Sequence, residues 1–172
     1  KLWRDNPETG LGIHLTLTCE WGSKYPWAPV LSKAKVPSLY NSEGIMWQSV
    51  DKLLQNSNRK EVALELDAQI NKVLKAGLNP SHIDCHMVFH HQSDLLPIVV
   101  DLSRKYTLPM RISKRKIHKF PLIKHNVGSL RRAGYVFPDT QMGIYMSGGA
   151  NQSFEFRKVM YHDHLRSLKP GV

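Results

Sequence analysis

An α/β fold with parallel strands joined by crossover helices is what this 172-residue chain predicts. Three observations carry that expectation. The stretch LGIHLTLT (11–18) alternates apolar and polar residues at period two, the pattern of a strand. EVALELDAQINKVLKAG (61–77) repeats its apolar residues at helical spacing. HIDCHMVFHH (82–91) then alternates at period two again. Strands separated by a helix are joined by a crossover, and crossovers make parallel neighbours.

In the first strand Ile13, Leu15 and Leu17 face one way, and His14, Thr16 and Thr18 the other. Residues 20–45 are rich in Pro, Gly, Ser and Tyr and predict a loop, long enough to be functional. In the helix over 61–77, Val62, Leu66, Ile70, Val73 and Leu74 share a face, and Gly77 supplies the stop. As a strand, 82–90 puts His82, Asp84, His86, Val88 and His90 on one face and Ile83, Cys85, Met87 and Phe89 on the other. A helix would also align His82, His86 and His90, but it strands Asp84, and position 87 is Met where a zincin has its general base. The strand is therefore preferred. SDLLPIVVDLSRKY (93–106) predicts a second helix, capped by Ser93, with Asp94 in its first turn and Pro97 where a missing N–H is tolerable. MRIS (110–113) predicts a short strand, 114–134 a basic irregular segment, and 153–168 a third helix stopped by KPG.

Composition bounds the function. Hydrophobic content of 41% and charged content of 22% are globular values, and the length suits one domain over 1–172. Cys19 and Cys85 are too few for a disulfide framework, which predicts a reducing, cytoplasmic setting. No apolar run approaches the ~18 residues of a membrane span, and no signal-peptide pattern is present, so no membrane partner is expected. The net charge is +10, and between Leu102 and Pro138 there is no acidic residue. The basic stretch 104–132 reads as a solvated surface that can attract anions. It has only Tyr106 and Phe120 as interleaved aromatics and no binding motif, which disfavours nucleic acid as a partner.

A strand face bearing His-x-Asp-x-His is costly to bury unsatisfied, at about 1–3 kcal/mol for each unpaired group. A divalent metal with Asp84 as an orienting carboxylate would satisfy it, and so would a hydrogen-bonded histidine cluster without metal. His14, whose face companions are threonines, either joins the same polar centre or is a structural histidine.

The segments GIHLTLT (12–18), VPSLYNSEGIMW (36–47), EVALELDAQINKVLKAGLNPSHIDCH (61–86) and MRI (110–112) resemble, in order and spacing, the YdjC-like carbohydrate deacetylases. After residue 113 only FPDTQMGIY and LRSLKPGV keep the likeness. The resemblance implies a distorted TIM-like βα barrel and a metal-dependent hydrolase that removes acetyl groups from N-acetylated sugars, such as chitooligosaccharides, by cleaving the C–N amide bond. It implies His14 and His86 as ligands of a divalent metal, Mg or Zn, with Asp84, His90 and Arg111 in supporting or substrate-binding roles. Arg111 would hold a sugar hydroxyl or the Asp84 carboxylate, or else be a surface arginine at a strand end. Trp21, Tyr25, Trp27 and Tyr40 would be platforms for sugar rings or pins that fix the loop to the core.

The chain departs from the family pattern in places. The family's Ser before the metal histidine is Cys85, and its next two histidines are Met87 and Val88. The family's opening A-D-D-F-G strand, source of a metal ligand and the catalytic base, and its H-P-G motif have no counterpart here. The catalytic base is thus unassigned, and the expectation is an incomplete barrel, truncated at both ends. Exposed sheet edges would then favour self-association into a homo-oligomer. The other reading of such a chain is an inactive metal-binding remnant of the same fold.

Overall fold

The computed structural model describes residues 5, 6, 8–111 and 153–167. The chain divides into two compact units, Lys1–Arg111 and Ile112–Val172.

In the first unit, strand β1 (Gly12–Leu15) is followed by a long connection with short 3-10 turns at Gly22–Lys24 and Pro37–Leu39. Helices α1 (Val50–Asn56) and α2 (Arg59–Lys75) come next, then strand β2 (His82–Cys85), a 3-10 turn (His86–His91) and helix α3 (Leu96–Tyr106). β1 and β2 pair in parallel, with Gly12 opposite His82, Ile13 opposite Ile83, His14 opposite Asp84 and Leu15 opposite Cys85. Met110 adds an isolated parallel bridge to Ile83 on the other side of β2. It is clasped by hydrogen bonds from the Ile83 N–H to the Pro109 carbonyl (2.8 Å) and from the Arg111 N–H to the Ile83 carbonyl (2.9 Å). The mixed α/β class and the parallel pairing thus follow the alternation of elements in the sequence. Two strands are present among the described residues.

Strand β1 is shorter than its alternation, and the reason is a side chain. Gln69 of α2 accepts from the Thr16 N–H (2.9 Å) and donates to the Thr16 carbonyl (2.7 Å). Its carboxamide satisfies both backbone groups where the ladder stops, as a neighbouring strand otherwise would. Thr18 then bridges Trp47 in parallel.

α2 is the scaffold of the unit. Asn58 caps it by accepting from the Lys60 N–H (2.8 Å). At its other end Gly77 takes φ +72°, the Gly77 N–H reaches Leu74 and the Leu78 N–H reaches Val73. That is a Schellman closure, which needs a left-handed residue and favours glycine. Val62, Leu66 and Ile70 are buried, but Leu74, expected on the same face, is exposed. The same helix buries Glu65, which no periodicity flags. Glu65 accepts from the N–H groups of Val30 (2.8 Å) and Leu31 (3.0 Å) and from Gln69 Nε2 (2.8 Å). The long connection is thereby tied to the helix that in turn holds β1.

Three local expectations are corrected. α1 is absent from the sequence reading: it is one short helix burying only Leu53, with Ser49 accepting from the Lys52 N–H at its start. α3 begins at Leu96, not at the serine three residues earlier. Ser93 donates to Asp94 (3.2 Å), while the Leu95 and Leu96 N–H groups bond the Gln92 carbonyl, so residues 92–95 are spent on a turn. The alternation over 82–90 breaks at Cys85, where β2 ends in the 3-10 turn. Met87 (φ 50°, ψ 21°) and Val88 (φ 47°, ψ 34°) are left-handed there, so the side chains beyond Cys85 no longer alternate across a sheet.

Of the strand expected over 110–113, Met110 forms its bridge, and the last two residues lie outside the described ones. Most of the basic segment 104–132 does too. Its described members meet carboxylates: Lys105 pairs with Asp67 (2.6 Å), Arg111 with Asp84 (2.7 Å), and Arg104 approaches Asp101 (3.9 Å). The second unit contributes α4 (Phe154–Ser167), which meets the helix expected over 153–168. Both cysteines are free and buried. Among the described residues no helix is long and apolar enough to cross a membrane.

Candidate active site

The parallel register sets His14 beside Asp84, and their side chains bond at 3.0 Å from Nδ1 to Oδ2. The other oxygen of Asp84 accepts from Arg111 Nη2 (2.7 Å) and from the Cys85 N–H (2.6 Å). Burial alone would push the Asp84 carboxyl up, but the Arg111 bond and charge, the backbone donor and His14 outweigh it and hold it below the usual range. Asp84 is therefore an anion at neutral pH and can only accept, so His14 Nδ1 carries the proton. Arg111 is the partner of Asp84, one of the roles weighed for it from sequence.

His86 stands one residue past the end of β2, and its ring is aimed by side chains. Its Nε2 lies 2.8 Å from Glu20 Oε2. Glu20 is a residue that the sequence left inside the long loop. Burial pushes its carboxyl up, while the His86 hydrogen bond, its own backbone N–H and the two imidazoles bring the balance below the ordinary value. Glu20 is thus also an acceptor, and His86 Nε2 is the protonated nitrogen. The Trp27 ring stands edge-on to His86, with centroids 6.2 Å apart.

When both rings are neutral, protons on the outer nitrogens leave the inner ones, His14 Nε2 and His86 Nδ1, facing each other at 3.1 Å as two lone pairs. Two bare acceptors at that distance repel unless a cation or a shared proton stands between them. Adjacent nitrogen ligands of one divalent ion, at metal–nitrogen distances of about 2.0–2.1 Å, are separated by roughly 2.9–3.4 Å. An imidazole whose far N–H is held by a carboxylate is also the usual form of a metal-binding histidine. The donor set and the spacing therefore fit a divalent ion. Among the described residues no group of three or more His, Cys, Asp or Glu is arranged to enclose one.

The remaining residues singled out from the sequence fall into two sets. His90 is 2% exposed, off the polar face on which the alternation had put it, and its ring lies 4.3 Å from that of His91. Cys85 is buried, which pushes its thiol pKa up and leaves it inert. Of the loop aromatics, two are pins: Trp27 Nε1 donates to the Thr18 carbonyl (2.8 Å) and the Tyr40 hydroxyl to the Leu31 carbonyl (2.7 Å). The other two are open: Trp21 is 57% and Tyr25 60% exposed, with their rings edge to face at 6.2 Å. Sequence reasoning missed Glu20. Its signal was faint: one carboxylate two residues past the alternating stretch 11–18 that carries His14.

A family profile described as "YdjC-like protein" matches residues 1–171. A carbohydrate deacetylase from Geobacillus stearothermophilus is 34% identical over 124 residues, covering 72% of this chain and 46% of that protein. A carbohydrate deacetylase from Enterococcus faecalis is 39% identical over 113 residues, covering 64% of this chain and 40% of that protein. A crystal structure from Enterococcus faecalis V583, given as a candidate cellobiose-phosphate cleavage protein, superposes with a TM-score of 0.71 at 28% identity. It covers 97% of this chain and 59% of that one. The chain thus spans less than half the length of these two curated relatives.

Proposed function

This chain belongs to the YdjC-like protein family, and we propose from that premise that its protein is a metal-dependent carbohydrate deacetylase acting on N-acetylated oligosaccharides. The carbohydrate deacetylases among its relatives support the substrate class. One observation carries the metal: two imidazoles, each backed by an anionic carboxylate, bring their remaining ring nitrogens within 3.1 Å of each other. His14 and His86 are the ligands in this reading. Asp84 orients His14, and Arg111 holds Asp84 in place.

A divalent ion, Mg or Zn, would supply Lewis-acid polarisation of the acetyl carbonyl and a more acidic bound water. The chain's own part is to aim both imidazoles, each by a carboxylate at its outer nitrogen, so that the inner nitrogens face a common point. Trp21 and Tyr25, the two open aromatics beyond Glu20, give apolar faces against which a sugar ring can lie. His90, buried with its ring beside that of His91, has a supporting role rather than touching substrate. The whole protein adopts the distorted, TIM-like barrel in which β1, β2 and the Met110 bridge are successive parallel staves, and it works in the cytoplasm.

Titration of Zn²⁺ and Mg²⁺ into the metal-free protein tests the reading, alongside acetate release from chitooligosaccharides by the full-length protein. Binding of one ion, lost in His14→Ala and His86→Ala, is the expected result. Equal binding by the wild type and both variants would reject the site, and full-length acetate release unaffected by chelation would reject the metal.

A further inference from the structure

We propose that Glu20 is the positioning residue of His86, selecting the Nε2–H tautomer so that Nδ1 offers its lone pair toward His14. This rests on the function proposed above, in which that lone pair binds the metal.

The need for such a residue follows from what else His86 could do. His14 has its proton on Nδ1, held by Asp84, so its Nε2 is a bare acceptor 3.1 Å from His86 Nδ1. Left to that neighbour alone, neutral His86 would place its own proton on Nδ1 and donate it to His14. The two rings would then satisfy each other, and the space between them would be filled by a proton. Backbone geometry does not prevent this. His86 lies past the end of β2, immediately before two left-handed residues, so no sheet register fixes its ring.

Glu20 reverses the preference. Its carboxylate accepts from Nε2 at 2.8 Å. A hydrogen bond to an ionised carboxylate is roughly twice as strong as a neutral one, so it outcompetes the imidazole–imidazole bond for the single proton. The segment leading to Glu20 is anchored where it leaves the core. The neighbouring Cys19 is fully buried, its N–H donates to the Trp47 carbonyl (2.8 Å), and Trp27 Nε1 holds the Thr18 carbonyl (2.8 Å). The carboxylate is therefore delivered from a fixed base, and the Trp27 ring stands edge-on to His86 with centroids 6.2 Å apart.

The test is ¹⁵N NMR of the imidazoles in the chelator-treated protein at about pH 8, above the ordinary histidine titration, with His86→Gln used to assign the signals. The wild type is expected to show His86 protonated at Nε2. Glu20→Ala, and Glu20→Leu as a variant that keeps the bulk, should move that proton to Nδ1. Glu20→Gln, whose amide oxygen accepts only as a neutral group and so competes with His14 on even terms, should give a mixture of the two tautomers. Zn²⁺ affinity, measured against a competing chelator, should fall about 10–100-fold in the first two variants and by less in the third. An unchanged tautomer in both Ala and Leu variants, or Nδ1–H in the wild type, overturns the proposal. If the tautomer moves as expected while no variant and no wild-type sample binds metal, Glu20 keeps its role and the metal reading of the site is what fails.

Discussion

His14 stands within β1, opposite Asp84 in a continuous register, while His86 stands where β2 has already ended. The first half of the site is sheet-built. Its carboxylate is clamped by Arg111 and by the Cys85 N–H, and both strands are backed by fully buried Leu15 and Ile83. The second half is loop-built. A left-handed turn carries the histidine, and a carboxylate from the long connection aims it. Both halves arrive at the same local chemistry, an imidazole backed by an anion, by different structural means. A register is set by many backbone bonds together, so it tolerates the loss of any one side chain. A loop contact depends on the few side chains that make it.

The largest effect that would break the contrast lies beneath the sheet. Leu15→Ala removes a fully buried side chain one residue from His14, and should cost about 2–5 kcal/mol by the usual range for such cavities. Because β1 supports both imidazoles, Zn²⁺ binding and folding should be lost together in denaturant. Loss of metal binding well before unfolding would show that the sheet half is not the common support.

Asp84→Ala separates the halves. It frees His14 to rotate and leaves the Arg111 guanidinium without its carboxylate, so metal affinity should fall about 10–100-fold. The His86 tautomer, held by Glu20, should stay as it was in the imidazole NMR spectrum. Movement of both rings would mean that the site is one coupled network rather than two independently held histidines.

How far these halves could be read from sequence differs for the same physical reason. The strand within 11–18, realised as β1 over Gly12–Leu15, the helix over 61–77 with its Gly77 stop, realised as α2, and the parallel crossover all reflect repeated backbone geometry, and they are present in that form. The His14–Asp84 contact is a consequence of register, and Arg111 beside Asp84 was among the roles considered for it. By contrast, the alternation of 82–90 continues past Cys85 in the sequence but not in the chain, because nothing in residue type announces two left-handed residues that are not glycine. Glu20 and the buried Glu65 were invisible because their partners lie far along the chain: His86, and the backbone of Val30 and Leu31. α1 has one buried residue and too few turns to show a period. The early helix start at Ser93 failed because a capping side chain found a nearer partner in Asp94.

Acid should reach the scaffold under both halves through Asp67, which joins α2 to α3. It accepts from Lys105 Nζ (2.6 Å) and the Tyr106 hydroxyl (2.7 Å), and Asn71 Nδ2 also bonds it (3.0 Å). Burial raises its carboxyl, but the Lys105 and Tyr106 bonds, the lysine charge and Asn71 bring the net value below the ordinary 3.8. The folded value lies below the unfolded one, so this contribution is complete above about pH 4 and disappears as pH falls through the folded pKa. Asp67→Asn should therefore be less stable than wild type at pH 6, by denaturant midpoint, with the gap narrowing below pH 4. A constant gap across that window would mean that the ion pair with Lys105, exposed as it is, contributes nothing.

The smallest effect tests the loop half directly. Val88 holds φ 47° with a β-branched side chain, in a region that costs an L-residue about 1–2 kcal/mol. Glycine escapes that cost but loses about 0.5–1 kcal/mol to the entropy of the unfolded chain. Comparing Val88→Gly with Val88→Ala removes the side-chain burial common to both. At an ordinary position alanine is the more stable of the two. Here Val88→Gly should exceed Val88→Ala by on the order of 0.5–1 kcal/mol in chemical denaturation. Retention of the ordinary order would mean that residue 88 is extended and that β2 runs on toward His90. His86 would then be held by register, as His14 is, and the difference between the two halves would vanish.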